Sequence, residues 1–260
     1  MSTTKNIFLK IHIWRYKHIS ERQFIYVLSI LVGFLSGVAA LLLKNLTHFF
    51  QHLLEGNLVR YYHHAFYFVF PIIGLAIVYL IIKYVIRNKV SHGIPSTLFA
   101  ISKRKGIMKR YQMIGSVLTA PITVGFGGSV GLEGPTVATG AAISSNLARL
   151  FRLNQTTRTL LIGCAAAGAM SSIFKAPIAA IIFAIEVFSL DLTLASMLPL
   201  LLASISAIIT SYFFLGSDVL LPFKLEDVFT INDVPFFVFL GVVTGVTSIY
   251  FTEVYDRVQK

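Results

Sequence analysis

Apolar residues fill this chain in long runs, and polar clusters cut the runs at uneven intervals. The run Phe24–Leu43 is interrupted only by small or weakly polar residues and continues into "KNLTHFFQHLLEG". It predicts one long helix over 24–54, with a small-residue pair, Gly33 and Gly37, in "GFLSG". Crossing a bilayer core takes about 20 apolar residues, and three runs meet that length: Phe24–Leu43, Ala65–Ile82 and Ser196–Leu215. The second lies in a predicted helix over 66–88 and the third in one over 193–215. A signal peptide has a short apolar region and a small-residue cleavage site, so Phe24–Leu43 is read as a retained membrane helix. A last apolar segment runs from Pro235 to about Tyr255.

Between the second and third runs the pattern breaks into short pieces. "SHGIPSTLFAI" (91–101) carries one short helical segment, and "YQMIGSVLTAPITVG" (111–125) a medium one containing Pro121. "GPTVATGAAISSNLARLF" (134–151) predicts a small-residue helix starting just after Glu133. "TTRTLLIGCAAAGAMSSIF" and "APIAAIIFAIEVFSL" are again short and are separated at "KAP". The "GCAAAGAM" stretch reads as close helix packing. Broken helices leave backbone groups unpaired at membrane depth, which is tolerated only inside protein or along a wet cavity.

Composition places the chain in a membrane. It has 260 residues, 56% of them hydrophobic and 13% charged, and its mean hydropathy is +0.78; soluble domains carry about a quarter charged residues. The net charge of +11 is not read as nucleic-acid binding, because the cations sit in short segments between apolar runs. Lys5, Lys10, Arg15, Lys17 and Arg22 precede the first run; Lys83, Arg87 and Lys89 follow the second; "KRKGIMKR" fills 103–110. This is the positive-inside pattern, which predicts a cytoplasmic N-terminus. Tyr61, Tyr62, His63 and His64 predict an interfacial belt. The single cysteine, Cys164, has no disulfide partner in the chain.

Two stretches carry the candidate chemistry. In "SHGIPS" (91–96), Gly93 permits a tight turn and Pro95 suits a first helical turn, where its missing N–H would be unpaired anyway. "GLEGPT" (131–136) repeats the arrangement, with Glu133 just before the expected helix and Pro135 at its start. A helix N-terminus carries about +0.5 charge and unpaired N–H donors, so it binds anions without a full cation. Ser91, His92, Gly93, Ile94 and Pro95 with Gly131, Leu132, Gly134 and Pro135 form the expected anion site, with no metal. Glu133 is its expected gate. A carboxylate at such a site fills it when ionised and leaves it when protonated, and an intramembrane acid is costly enough to imply a use. A Glu that merely capped its own helix would not need glycines on both sides, and Ser, Thr or Asp would serve.

"GLEGP" at 131–135 resembles the G-(K/R)-E-G-P signature of the CLC family of chloride channels and proton/chloride exchangers. "SHGIP" at 91–95 is similar to that family's G-S-G-I-P anion-filter loop, and "FKAPIAAIIFAIEVF" at 174–188 to its F-N-A-P-L-A-G-x-x-F-x-x-E segment. The resemblance covers the chain from about residue 23. It implies an all-α, polytopic membrane fold of inverted repeats, a homodimer with one pore per subunit, and Glu133 as the gating glutamate. The expected organisation is a basic cytoplasmic arm (1–22), a first transmembrane repeat (23–215), a linker (216–234) and the first helix of a second repeat (235–260). The second repeat's later motifs do not occur, so the rest of the pore is expected to come from a missing C-terminal half.

Three departures shape the functional expectation. His92 stands where the family has its central chloride-coordinating serine. An imidazole ordinarily titrates near about pH 6.5, so a His92 lining the anion path would raise anion affinity as pH falls; the alternative is that it packs aside. Leu132 replaces the cation of the gating motif. Val187 occupies the exchangers' internal proton-transfer position, immediately after Glu186, so that relay is lost, and Glu186 is expected to be a structural or interhelical polar residue. The expectation is therefore chloride-channel-like anion transport gated by Glu133, in the cell (inner) membrane. The alternatives are a proton/anion antiporter, for chloride, fluoride or nitrate, and a non-conducting portion of a CLC protein. An enzyme is not expected: adjacent Ser91 and His92 point apart, no G-x-S-x-G elbow or phosphate-loop lysine occurs, and the histidines are scattered. No cofactor is expected.

Overall fold

The computed structural model describes residues 20–54, 69–88, 93–216 and 230–259. The predicted interfacial belt at 61–64, most of the basic arm and most of the 216–234 linker lie outside these residues, as do Ser91 and His92. Among the described residues every regular element is helical. In chain order they are α1 (Glu21–Leu54), α2 (Phe70–Leu80), α3 (Ile94–Arg104), α4 (Gln112–Gly125) and α5 (Glu133–Leu150), then α6 (Gln155–Phe174), α7 (Pro177–Phe188), α8 (Leu194–Leu215) and α9 (Val234–Gln259). A π-helical turn, Ile81–Ile86, extends α2 and closes on Arg87 in the left-handed region. Most predicted limits match within a few residues, and α1, α6, α8 and α9 are each long and apolar enough to cross a membrane. Two expectations are corrected: α6, read as a short segment, is a 20-residue span, and among the described residues the helix expected to span at 66–88 covers only Phe70–Ile86, with its expected start outside them.

The chain divides into two compact units, Met1–Leu220 and Leu221–Lys260. The first is built around α6, which packs against α1, α5, α7 and α8. Its centre is nearly all small residues, with Gly163 through Ala169 buried, flanked by fully buried Leu161 and Ile162. Small residues let helix backbones approach, and in lipid that close packing, not apolar burial, drives association. The expected packing role of "GCAAAGAM" is what the structure shows.

The Gly33–Gly37 pair has the same use. A methyl group at Gly33 would collide with the Ala203 carbonyl and stand 2.7 Å from the Ala203 Cα. At Gly37 it would meet Ala207, with the Cα at 3.2 Å. Both contacts step four residues in the same direction, so α1 and α8 run parallel. A methyl group at Gly168 of α6 would lie 3.2 Å from the Gly33 Cα, which puts three helices at one crossing. Interhelical hydrogen bonds add to this: Ser206 Oγ donates to the Ile30 carbonyl (2.9 Å) and Ser211 Oγ to that of Ser172 (3.0 Å). Pro121 is accommodated inside α4, where it is buried.

The second unit is α9, opened by a 3-10 turn, Ile231–Asp233, that Thr230 and Asp233 cap reciprocally. Glu253 and Arg257 pair on its surface at 2.8 Å.

Candidate functional site

α3 begins at Gly93, which caps it with φ +87°. An L side chain is strained there, so the sequence puts glycine where the chain must turn sharply into a helix. No side chain caps this N-terminus, and Pro95 lies in its first turn. Ser96 Oγ donates back to the Gly93 carbonyl at 2.9 Å, and Thr97 Oγ1 reaches the same oxygen at 3.5 Å. The carbonyl is thereby held inside the turn while the first-turn N–H groups have no intrahelical acceptor. Gly93 is buried, Ile94 half-buried against the core, and Pro95 exposed.

α5 departs from expectation by one turn position. Glu133 is its first residue and does not precede it, because Leu132 already has helical backbone angles (φ −85°, ψ −11°). The Thr136 N–H donates to the Leu132 carbonyl at 3.0 Å and closes the turn there. Pro135 is accordingly the third residue of the helix and is buried. No side chain caps this end either. The Glu133 side chain folds back over Gly131 instead: a methyl group at Gly131 would run into the carboxylate, with its Cδ at 3.0 Å. Gly131 is exposed and Glu133 half-buried. Among the described residues, none donates a hydrogen bond to this carboxylate or pairs with it.

The two N-termini meet. A methyl group at Gly134 would stand 3.4 Å from the Gly93 Cα, and one at Gly93 would stand 3.9 Å from the Gly134 Cα. Any side chain at these positions would fill the space between the two backbones. The partial positive ends of α3 and α5 therefore adjoin, with the Glu133 carboxylate in the same first turn. Such an arrangement suits an anion held by backbone N–H groups and helix dipoles. Leu132 supplies no cation, and among the described residues no three His, Cys, Asp or Glu side chains gather as a metal site would need.

Sequence reading did not single out the hydroxyls of Ser96 and Thr136, which bond inward to Gly93 and Leu132 (2.7 Å for Thr136) and tighten both turns. The signal was present: each is a hydroxyl residue directly after the first-turn proline. Val187 lies half-buried against the core. Glu186 is exposed near the end of α7, and its side chain makes no hydrogen bond or ion pair among the described residues. The expected interhelical polar contact is not found among the described residues, since the side chain is exposed.

Known proteins resemble this chain along its length. The voltage gated chloride channel family matches residues 73–260. The H(+)/Cl(-) exchange transporter ClcA of Vibrio cholerae is 31% identical over 131 residues, 49% of this chain and 28% of that protein. Chloride channel protein CLC-e of Arabidopsis thaliana is 24% identical over 244 residues, 84% of this chain and 33% of that protein. Among solved structures, a CLC-type fluoride/proton antiporter superposes with a TM-score of 0.66 at 24% identity, covering 88% of this chain and 57% of that one. The chain thus spans about a third of these curated relatives and over half of the solved antiporter. The shared helical architecture, the apolar spans and the match over most of the chain make this a multi-pass membrane protein, not an enzyme, that belongs to the CLC anion-transport family.

Proposed function

We propose that the protein moves an inorganic anion, chloride first, across its membrane in exchange for protons, with Glu133 as the gating carboxylate. The observation that carries this is the meeting of Gly93 and Gly134 at two uncapped helix N-termini, with the Glu133 side chain beside them. The anion site comprises residues 91–95 together with Gly131, Leu132, Gly134 and Pro135. When Glu133 is ionised, its carboxylate competes for the positive helix ends; when it takes up a proton, the anion can enter. Exchange takes precedence over the channel-like behaviour expected from sequence because relatives named as proton/anion exchangers predominate, among them ClcA and the fluoride/proton antiporter.

The reading includes a homodimer, a first repeat over 23–215, and a cytoplasmic N-terminus in the cell (inner) membrane. Conduction requires the remainder of the CLC fold beyond the part this chain matches. The test is reconstitution in liposomes, under an anion gradient, of the protein with the remainder of its CLC fold present. Uphill proton movement that Glu133→Gln abolishes is the expected result. Anion flux without any proton movement, or flux unaltered by Glu133→Gln, overturns the reading. A second reading, passive channel-like conduction, is favoured by one observation: Val187 offers no carboxylate at the internal relay position. Anion flux that Glu133→Gln alters, with no proton coupling in the wild type, would select it.

A further inference from the structure

We propose that the face formed by the end of α3, the α3–α4 turn, the end of α5 and the start of α6 binds the headgroups of anionic phospholipids. The face is one built surface. Met108 N–H donates to Ser145 Oγ (2.9 Å), and that hydroxyl donates to the Gly106 carbonyl (2.6 Å), fixing the turn on α5. Arg158 of α6 donates to the carbonyls of Lys105 (2.8 Å) and Leu153 (3.0 Å), tying in the third helix.

This scaffold presents seven exposed cations. Lys103, Arg104 and Lys105 end α3; Lys109 and Arg110 precede α4; Arg149 and Arg152 end α5. None is in an ion pair among the described residues. From residue 56 to residue 190 the sequence holds only two carboxylates, Glu133 and Glu186. Glu133 opens α5 sixteen residues before Arg149, about 24 Å away along the helix. Glu186, Asp191 and Glu21 lie on α7, the α7–α8 turn and α1, and among the described residues none pairs with these cations. One or two cations complement a helix C-terminus; seven repel one another unless anions from outside balance them.

The surroundings identify those anions. α6 is a 20-residue apolar span that begins at Gln155, so the face lies at the boundary of the bilayer. Exposed Phe99, Ile107 and Leu150 stand among the cations, and the Arg104 guanidinium covers the Phe99 ring at 5.2 Å. A phospholipid supplies both halves of the match, phosphate for the cations and acyl chain for the apolar residues. Basic clusters of this size at a membrane surface recruit anionic lipids, each Lys or Arg adding about fivefold in affinity.

The test titrates the full chain, in uncharged detergent, with phosphatidylglycerol or phosphatidylcholine and counts bound lipids by native mass spectrometry. Wild type is expected to prefer phosphatidylglycerol by at least about tenfold, and to lose that preference in high salt. Arg104→Gln/Lys109→Gln/Arg149→Gln should weaken phosphatidylglycerol binding roughly a hundredfold, while Arg22→Gln/Lys44→Gln/Lys83→Gln leaves it near wild type. Equal binding of the two lipids by wild type overturns the proposal and leaves the cations a role in orientation only. Displacement by millimolar inorganic phosphate, or equal losses in both triple variants, overturns it too. If the first variant does not fold, photo-crosslinking of wild type with a photoactivatable phosphatidylglycerol decides. Adducts within 99–110 or 149–158 support the site, and adducts confined elsewhere refute it.

Discussion

Replacing Gly131 by alanine should displace the Glu133 carboxylate without unfolding the protein. The added methyl group would stand 3.0 Å from the Glu133 Cδ and closer still to a carboxylate oxygen. Carbon atoms settle at about 3.5–4.0 Å, so the carboxyl group must retreat by about half an ångström or more. The obstacle is the free end of a long, half-buried side chain, so the chain yields at that end and the backbone keeps its place. Gly131 also has no positive φ that would strain an alanine. Overpacking of this kind costs about 1–3 kcal/mol, which depletes the folded-back conformer roughly 5- to 150-fold at about 1.4 kcal/mol per tenfold. With the carboxylate displaced from the helix ends, the anion meets less competition. The assay is anion efflux from liposomes, read beside proton movement, for wild type, Gly131→Ala and Glu133→Gln. Gly131→Ala should move anion flux in the same direction as Glu133→Gln while keeping its thermal transition within a few degrees of wild type. Wild-type flux and coupling in a folded Gly131→Ala protein would refute the link between the carboxylate's position and gating.

Gly33→Ala should destabilise the first unit by about 3 kcal/mol, at the upper end of overpacking costs, because its obstacle is the Ala203 backbone. Gly241→Ala, with nothing within 4 Å, serves as the control in thermal unfolding, and equal transitions for the two would contradict the three-helix crossing. Ser145→Ala should cost about 2–4 kcal/mol, since it leaves the Met108 N–H and the Gly106 carbonyl buried without their partner; a change below about 0.5 kcal/mol in the same assay would show that water replaces the hydroxyl.

The sequence by itself determined the helical membrane class, the approximate limits of α1, α8 and α9, and the position of the lone acid in the glycine-rich break. Those properties are local: an apolar run of spanning length, a proline in a first turn and a glycine before it constrain the backbone wherever the segment ends up. It also marked Gly33, Gly37 and "GCAAAGAM" as packing residues, since small side chains at helical spacing serve close approach in lipid. Tertiary structure decided which surfaces those residues meet. Nothing in "GFLSG" specifies Ala203 and Ala207, which lie far along the chain. Glu133 became the first residue of α5 because Leu132 took helical angles, a one-residue choice that propensity does not resolve. Glu186 turned outward, although its motif suggested an interhelical contact. The approach of Gly93 to Gly134 required α3 and α5 to pack side by side, as they do. Each stretch alone shows a helix start; only the fold brings the two positive helix ends together beside Glu133, because their summed field depends on distance through space, not on spacing along the chain.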